Sequence, residues 1–415
     1  MEHVPDAVEG VLHVPVGLRL RRVWPVLLLV IISAVAWWWW SNRTTTNRQW
    51  DGSLALAPAQ ANVAWPQFGR DATHTGVLST GTSLVGEVVW QHKTAAPLIA
   101  SPVVGDGVVY FGSSDSYLYA VDAASGQTRW RYSLGPKLVN STPVLAGGLL
   151  LVAGDYTWIN AIDARSGQRV WRYDTGDDVL APPAVDAEAR LALVASGGTL
   201  VALNVRNGER QWQVQVTDTT PPGWPSVAAP TVGGGTVFWA PGVGHRLFAF
   251  TEASGTTRWS FDAGDRLAST PVLAGDSLYV VTWRGKVWAL NSQNGIVRWQ
   301  RTIGTGQPGE GSEATPSLGG TRLFVGSYQG TLYALDASTG TDLWHFQAAG
   351  PFLASPATSN SVVYCASEDG KLYALDAEKG TVRWQHHLAE MRSSPALTDR
   401  ALYIGTLDGT FVALR

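Results

Sequence analysis

The sequence predicts an all-β fold: an eight-bladed β-propeller of four-stranded antiparallel blades, its ring closed by the N-terminal strand and preceded by one transmembrane helix. Three observations carry that prediction. The stretch Thr321 to Trp344, TRLFVGSYQGTLYALDASTGTDLW, recurs as Val362 to Trp384, VVYCASEDGKLYALDAEKGTVRW, and in a more worn form as Val108 to Trp130, VVYFGSSDSYLYAVDAASGQTRW. A unit repeated about every 40 residues marks a propeller, a solenoid or an array. Eight tryptophans keep that spacing: Trp90, Trp130, Trp171, Trp212, Trp259, Trp299, Trp344 and Trp384, with gaps of 40, 41, 41, 47, 40, 45 and 40 residues. Eight prolines give the same count independently: Pro102, Pro143, Pro183, Pro230, Pro271, Pro316, Pro356 and Pro395. Proline cannot donate to a ladder, so it suits a strand start or an exposed inner edge.

Within one copy, Thr315 to Leu318 reads as the first strand and Leu323 to Val325 as the second, ending at Gly326. Gln329-Gly330 signals a turn, and Leu332 to Asp336 a third strand. Asp336 and Gly340 bracket a tight loop, the aspartate bonding the following backbone and the glycine supplying positive φ. Leu343 to Phe346 is the fourth strand. In Leu332-Tyr333-Ala334-Leu335 both alternating sets are apolar, so this strand is expected to be covered on both faces, as in a blade packed between blades. A small alanine recurs there as Ala120, Ala161, Ala202, Ala249, Ala289, Ala334, Ala374 and Ala413. It is expected to admit the tryptophan of a neighbouring blade.

The last copy supplies three strands, Ser393 to Thr398, Ala401 to Leu407 and Thr410 to Arg415, and stops before its tryptophan. The missing fourth strand stands at the other end, as Glu87 to His92. That strand is expected to complete the eighth blade and remove a vulnerable sheet edge.

Residues 1–22 read as a short cytoplasmic N-terminus. Val23 to Trp40, VWPVLLLVIISAVAWWWW, is an uncharged run of 18 residues, about the minimum for a membrane span. Trp37 to Trp40 suit an interfacial belt, and Arg19, Arg21 and Arg22 against Arg43 and Arg48 favour a cytoplasmic N-terminus. Ala34-Val35-Ala36 also fits a signal-peptidase site, so cleavage after Ala36 is the alternative to an uncleaved anchor. Either way the bulk of the chain is expected outside the cytoplasm, at the cytoplasmic membrane. Residues 41–64 read as a flexible linker, and 65–415 as the propeller.

The chain has 415 residues, 45 glycines, 20 tryptophans, 15% charged residues and a net charge of −3. Nothing here is a basic footprint for nucleic acid. Cys365 is the single cysteine, so no intrachain disulfide forms, and its place in an apolar strand reads as a buried small hydrophobe. No Walker loop, G-x-S-x-G or H-E-x-x-H motif occurs. His386 and His387 are adjacent on a strand and therefore point to opposite faces, which does not suit joint metal ligation.

The pattern V-Y-x-G-x-x-D-G-x-L-Y-A-L-D-A-x-T-G-x-x-x-W, best kept in Leu323 to Trp344 and Val362 to Trp384 and truncated in Leu402 to Leu414, resembles the pyrroloquinoline-quinone-type propeller repeat. Trp65-Pro66-Gln67-Phe68-Gly69-Arg70-Asp71, with His74-Thr75-Gly76, resembles the segment that leads into such propellers. The resemblance spans about residues 65–415. It implies one of two roles. Quinoprotein alcohol dehydrogenases hold the quinone and a calcium ion on the propeller axis. BamB-like scaffolds of outer-membrane β-barrel assembly bind protein partners and no quinone. A single cysteine rules out the vicinal disulfide that many of the dehydrogenases carry, and no calcium set matches residue by residue. The expectation is therefore a monomeric, non-catalytic protein-binding scaffold with no cofactor. A quinone- and calcium-dependent dehydrogenase is one alternative, and a ligand- or carbohydrate-binding sensor another.

The irregular copies point to where a partner would dock. The two long tryptophan gaps place extra residues in Thr217 to Ala229 and Gly304 to Ala314, between the fourth strand of one blade and the first of the next. That connection shares a face with the second-to-third-strand turns, which vary at Asp155 to Trp158, Pro241 to Arg246 and Trp283 to Gly285. Candidate partner-binding residues are Trp158, Trp224, His245, Trp283, Arg284, Glu310 and Glu313, with Trp239 nearby, centred on blades 3 to 6. Exposed aromatics and arginines are enriched at hot spots. A carboxylate pair such as Glu310 and Glu313 also suits a cation or acid–base work, although solvated loop charges are the blander reading. No catalytic or metal residue is assigned.

Overall fold

The computed structural model describes residues 65–415 except 79–83, 136–140, 155–156, 187–189, 217–226, 242–243, 268 and 360. The expected membrane segment 23–40 and linker 41–64 lie outside the described residues. Among the described residues no helix is long and apolar enough to cross a membrane.

The described residues form eight four-stranded antiparallel sheets, one of which gains a fifth, parallel strand. Blade 1 shows the local logic. Its strands are Val103–Gly105, Val108–Gly112, Tyr117–Asp122 and Thr128–Ser133, joined by hairpins. The first strand starts after the repeat proline rather than before it: in the blade around Trp344 it is Ser317–Gly319, not Thr315 to Leu318. Proline has no N–H for the ladder, and Thr315 spends its own amide on the next blade, 2.9 Å from the Ser355 hydroxyl. The third strand is covered on both faces, while the fourth presents an exposed edge. First strands of blades 1 and 2, 2 and 3, 3 and 4, 4 and 5, 6 and 7, and 8 and 1 lie against one another, which puts them around the axis.

Blade 8 is built from Ala396–Leu397, Leu402–Gly405, Thr410–Leu414 and the distant Val88–Lys93. The last two pair antiparallel, with Trp90 opposite Ala413.

Apolar side chains meet between blades, so the core is a set of inter-blade layers, for example Val144 to Ala161 of blade 2 against Val185 to Leu203 of blade 3. The repeat tryptophans knit these layers. Each indole N–H donates to a carbonyl one blade on, such as Trp130 to Ala164 at 3.0 Å, Trp171 to Val205 at 2.9 Å and Trp344 to Ala377 at 3.2 Å. The expected role of the alanine is corrected here. Ala334 sits directly opposite Trp344 of its own blade. The residue that admits the neighbour's indole is a glycine in the turn between third and fourth strands. Gly167, Gly208 and Gly380 have positive φ, and a Cβ there would lie 2.6 to 2.7 Å from the ring of Trp130, Trp171 or Trp344. Each indole buries on the order of 200 Å², worth roughly 5 kcal/mol gross at about 25 cal/mol per Å².

Residues 65–78 cross the inner edges of the blades as a strap. After six of the eight repeat prolines, the amide two residues on donates to the strap backbone in order: Val104 to Trp65 O, Leu145 to Pro66 O, Val232 to Ala72 O, Leu273 to Thr73 O, Leu318 to Thr75 O and Thr358 to Gly76 O. In blade 3 the Gln67 side chain replaces the backbone, accepting from Val185 N and donating to Val185 O, both at 3.1 Å. The strap ends as Val77–Leu78, the parallel fifth strand on blade 7. It therefore supplies acceptors to the inner edges of seven blades.

Candidate functional site at the channel mouth

The strap lies at the end of the first strands that leads into the first-to-second-strand turns. The opposite mouth is framed by hydroxyls. Each residue before the repeat proline gives its amide to a hydroxyl one blade on: Ser101 to Thr142, Ala229 to Thr270, Thr270 to Thr315, Thr315 to Ser355, Ser355 to Ser394 and Ser394 to Ser101, at 2.9 to 3.3 Å. The chain of bonds breaks where the repeat carries Pro182 and Ala229, which have no hydroxyl.

Above this frame, blades 5 to 8 hold a charged rim. A buried Ser or Thr at the end of each second strand fixes the next turn: Thr282, Ser327 and Thr406 each accept the amide four residues on, at 3.1 Å. The residue that follows is then free to vary along the rim: Trp283, Tyr328, Glu368 and Leu407. Connections between blades pack beside these turns through Trp283 N to Arg266 O, Gly311 N to Trp283 O, Tyr328 N to Gly311 O and Leu407 N to Glu390 O. Arg266 Nη2 lies 3.1 Å from Glu313 Oε1, and Arg392 Nε lies 2.6 Å from Glu368 Oε1. The Tyr328 hydroxyl is pushed well above its ordinary pKa, first by burial and then by its hydrogen bond to Glu313, with Arg266 and Arg392 opposing. It stays a neutral donor at any physiological pH.

The predicted residues separate into two groups. Trp283, Arg284, Glu310 and Glu313 come together. Gly311, between the two glutamates, bonds Trp283, and Arg284 pairs with Asp265 through its amide at 2.8 Å and its Nε at 3.7 Å. Within that group Glu310 serves its own loop, accepting from Thr305 N and Oγ1 at 2.7 Å and Gln307 N at 3.1 Å, bonds that lower its pKa. Trp158 and His245 lie on other blades. The Arg172 guanidinium covers the Trp158 ring at 4.1 Å, and His245 pairs with Asp262 at 2.8 Å. Trp224 lies outside the described residues. Trp239 is corrected to core: it is fully buried in the layer between blades 3 and 4. Arg266, Tyr328, Glu368 and Arg392 were missed. Tyr328 and Glu368 stand in the one column of the second-to-third-strand turn that differs between otherwise matching copies, whereas Arg266 and Arg392 lie in connections between blades, where no such column marks them.

The carboxylates of this rim do not fit a calcium ion. Glu313 is held by Arg266 and Tyr328, Glu368 by Arg392, and Glu310 by its own loop. Among the described residues no group of three or more His, Cys, Asp or Glu side chains converges as a metal site. Cys365 is fully buried, and burial pushes its thiol far above the ordinary range, so it is inert.

A family model described as outer membrane protein assembly factor BamB matches residues 72–137, 114–238, 219–314 and 306–415. The solved structure of BamB from Moraxella catarrhalis superposes with a TM-score of 0.66 at 18% identity, over 80% of this chain and 100% of that one. The quinohemoprotein alcohol dehydrogenase of Comamonas testosteroni superposes with a TM-score of 0.71 at 15% identity, over 90% of this chain and 83% of that one. At these identities the likeness is one of fold. A curated quinoprotein ethanol dehydrogenase of Pseudomonas aeruginosa is 37% identical over 68 residues, which is 16% of this chain and 11% of that protein. The chain thus spans about a tenth of the length of the curated relatives it matches. The chain belongs to the family of propellers described as outer membrane protein assembly factor BamB.

Proposed function

We propose that this chain is a membrane-anchored, extracytoplasmic scaffold that binds protein partners at the cell envelope and carries out no reaction. The observation that carries this reading is the rim on blades 5 to 8. Its arginines and glutamates are paired with each other, partly exposed, and interleaved with Trp283 and Tyr328. Paired charges around aromatic anchors suit a protein surface, where they set register and exclude wrong partners. The family description supports the same reading. The pairing of Val88–Lys93 with Thr410–Leu414 supports a ring closed by the N-terminal strand. The uncharged run 23–40 supports the tether, and the propeller itself is read as a monomer.

The dehydrogenase alternative rests on the short match to curated quinoproteins. The commitment of Glu313 and Glu368 to arginines weighs against a calcium-held quinone. The sensor alternative loses two stacking platforms, because Trp239 is core and Trp158 is covered by Arg172. Two assays on the full-length chain separate the readings. Capture from membrane extract with wild type and with Arg392→Glu is expected to lose partners in the variant at unchanged thermal stability. Incubation with the quinone and calcium is expected to give no dye reduction with alcohols or sugars. Dye reduction, or identical partners on both baits, overturns the scaffold.

A further inference from the structure

The outer edges of the blades are not alike. Of the eight large apolar side chains exposed among the described residues, seven lie at or just before the fourth strands of four consecutive blades. Ile296, 63% exposed, and Val297 stand on blade 5, Leu343 on blade 6 and Val382 on blade 7. Val85, Val88 and Val89 follow on blade 8. On blades 1 to 4 the two positions before the repeat tryptophan carry Thr128-Arg129, Arg169-Val170, Arg210-Gln211 and Thr257-Arg258, one arginine in each. A charge on an exposed edge keeps it in water. On blades 5 to 8 every lysine, arginine and aspartate of the fourth strands is paired: Arg298 with Asp276, Arg301 with Asp342, Arg383 with Asp376 and Lys93 with Asp408. The apolar side chains form one row, because each indole packs on the glycine that opens the next fourth strand: Trp299 on Gly340, Trp344 on Gly380 and Trp384 on Gly86. The turns leading into these strands bond the first-to-second-strand turns, as Ser292 N to Asp276 O, Ala337 N to Thr321 O and Ala377 N to Ser361 O. The row therefore lies on the strap side of the propeller, away from the charged rim.

We infer that this row is a lipid-binding edge: the strap side of blades 5 to 8 rests on the surface of the bilayer that holds the tether. The inference rests on the tether of the proposed function. Chain order supplies the partner. Trp65, where the described chain begins, pairs with Val104 at the inner edge of blade 1, on that same side. The uncharged run 23–40 stands ahead of it, with 24 residues, 41–64, between. A flexible chain of that length reaches roughly 25–30 Å. The bilayer is thus presented to the strap side at high effective concentration, and a weak contact suffices. The contact is apolar. Valine, leucine and isoleucine side chains enter the boundary between headgroups and acyl chains, and strength follows the apolar area buried. The paired charges between them favour neither sign of headgroup. The opposite face, with Glu313, Glu368 and their arginines, is left turned away from the lipid and open to a protein partner.

The test uses the full-length chain in phosphatidylcholine vesicles, with one cysteine introduced at a time and spin-labelled. Cys365 is fully buried and stays unlabelled. Ile296→Cys, Leu343→Cys and Val382→Cys report on the row. Thr128→Cys, at the matching place on blade 1, and Arg284→Cys, on the opposite face, are the references. The row labels are expected to be relaxed by oxygen dissolved in the lipid and shielded severalfold from a water-soluble nickel chelate, while the references stay open to the chelate. The shielding is expected to survive about 1 M salt, which screens exposed charges. Adding Ile296→Asp and Leu343→Asp to the Val382→Cys chain is expected to shift the docked equilibrium toward water by at least about tenfold, at unchanged melting temperature. If alkaline carbonate strips the chain from the vesicles, the tether fails and the inference with it. If the chain is retained and the row labels are as open to the chelate as the references, the inference alone is overturned. Shielding that disappears in salt, or that is indifferent to the two aspartates, overturns it as well. Row labels shielded only after membrane-extract protein is added assign the edge to a protein partner and overturn the lipid contact.

Discussion

If the tryptophans hold blades together by pressing on the glycine of the next blade, Trp171 and Gly208 must be energetically coupled. Trp171 is 1% exposed, donates to Val205 O at 2.9 Å, and would meet a Cβ on Gly208 at 2.6 Å. Trp171→Ala alone is expected to cost about 3–5 kcal/mol, as a large-to-small core substitution that also strips a carbonyl of its donor. Gly208→Ala alone carries two costs. Alanine at φ +72° is disfavoured by about 1–2 kcal/mol, and the overlap with the indole adds about 1–3. In the double mutant the indole is gone, and of the glycine substitution only the backbone cost remains. The pair should therefore be less destabilised than the sum by about 1–3 kcal/mol. Urea midpoints and slopes of the four proteins, followed by far-UV circular dichroism, give the cycle. Additivity within about 0.5 kcal/mol would mean that indole and glycine do not touch, and would refute the docking.

Three further outcomes are expected. The turn carboxylates are depressed by their partners, Asp122 to about 2 chiefly by Arg129 and Asp408 to about 2 chiefly by Thr406, with Asp336 and Asp376 lowered as well. Their contribution is complete above about pH 4 and lost as pH falls toward 2, so the urea midpoint should be flat from neutral pH to about 4 in this respect and drop below it; Asp122→Asn should blunt the drop. Arg284→Ala removes an exposed side chain that pairs with Asp265, and its melting temperature should match wild type within the equivalent of about 0.5 kcal/mol. Cys365 should resist maleimide in the native chain and label fully in denaturant; native labelling at a comparable rate would contradict its burial.

Much of the fold was legible because each blade is specified locally. Gly340 and Asp336 make their turn from chemistry visible in the sequence, and Asp336 Oδ1 indeed accepts the Ser338 and Thr339 amides at 2.9 Å. The face bearing Trp283, Arg284, Glu310 and Glu313 was legible for the same reason, since connection lengths decide which turns lie together. The pairing on that face was not. Arg266 meets Glu313 across 47 residues and Arg392 meets Glu368 across 24, and no local period relates such partners. Trp239 was misread because aromatic type alone does not tell a rim residue from a core one.

By itself, then, the sequence determined the number of blades, the number and order of strands in each, and the pairing of the strand around Trp90 with the last strands, since all three follow from a period and from hairpin turns; the start of the first strand was misplaced. The tertiary structure alone decided which small residue receives each tryptophan. Ala334 and Gly380 are both small and both recur, and only inter-blade packing shows that the position under the indole has no room even for a Cβ. It alone also decided the course of residues 65–78. Most of that segment has no strand pattern, because its partners are amides supplied one per blade across some 250 residues, from Val104 to Thr358, and only the assembled propeller brings those amides to one axis.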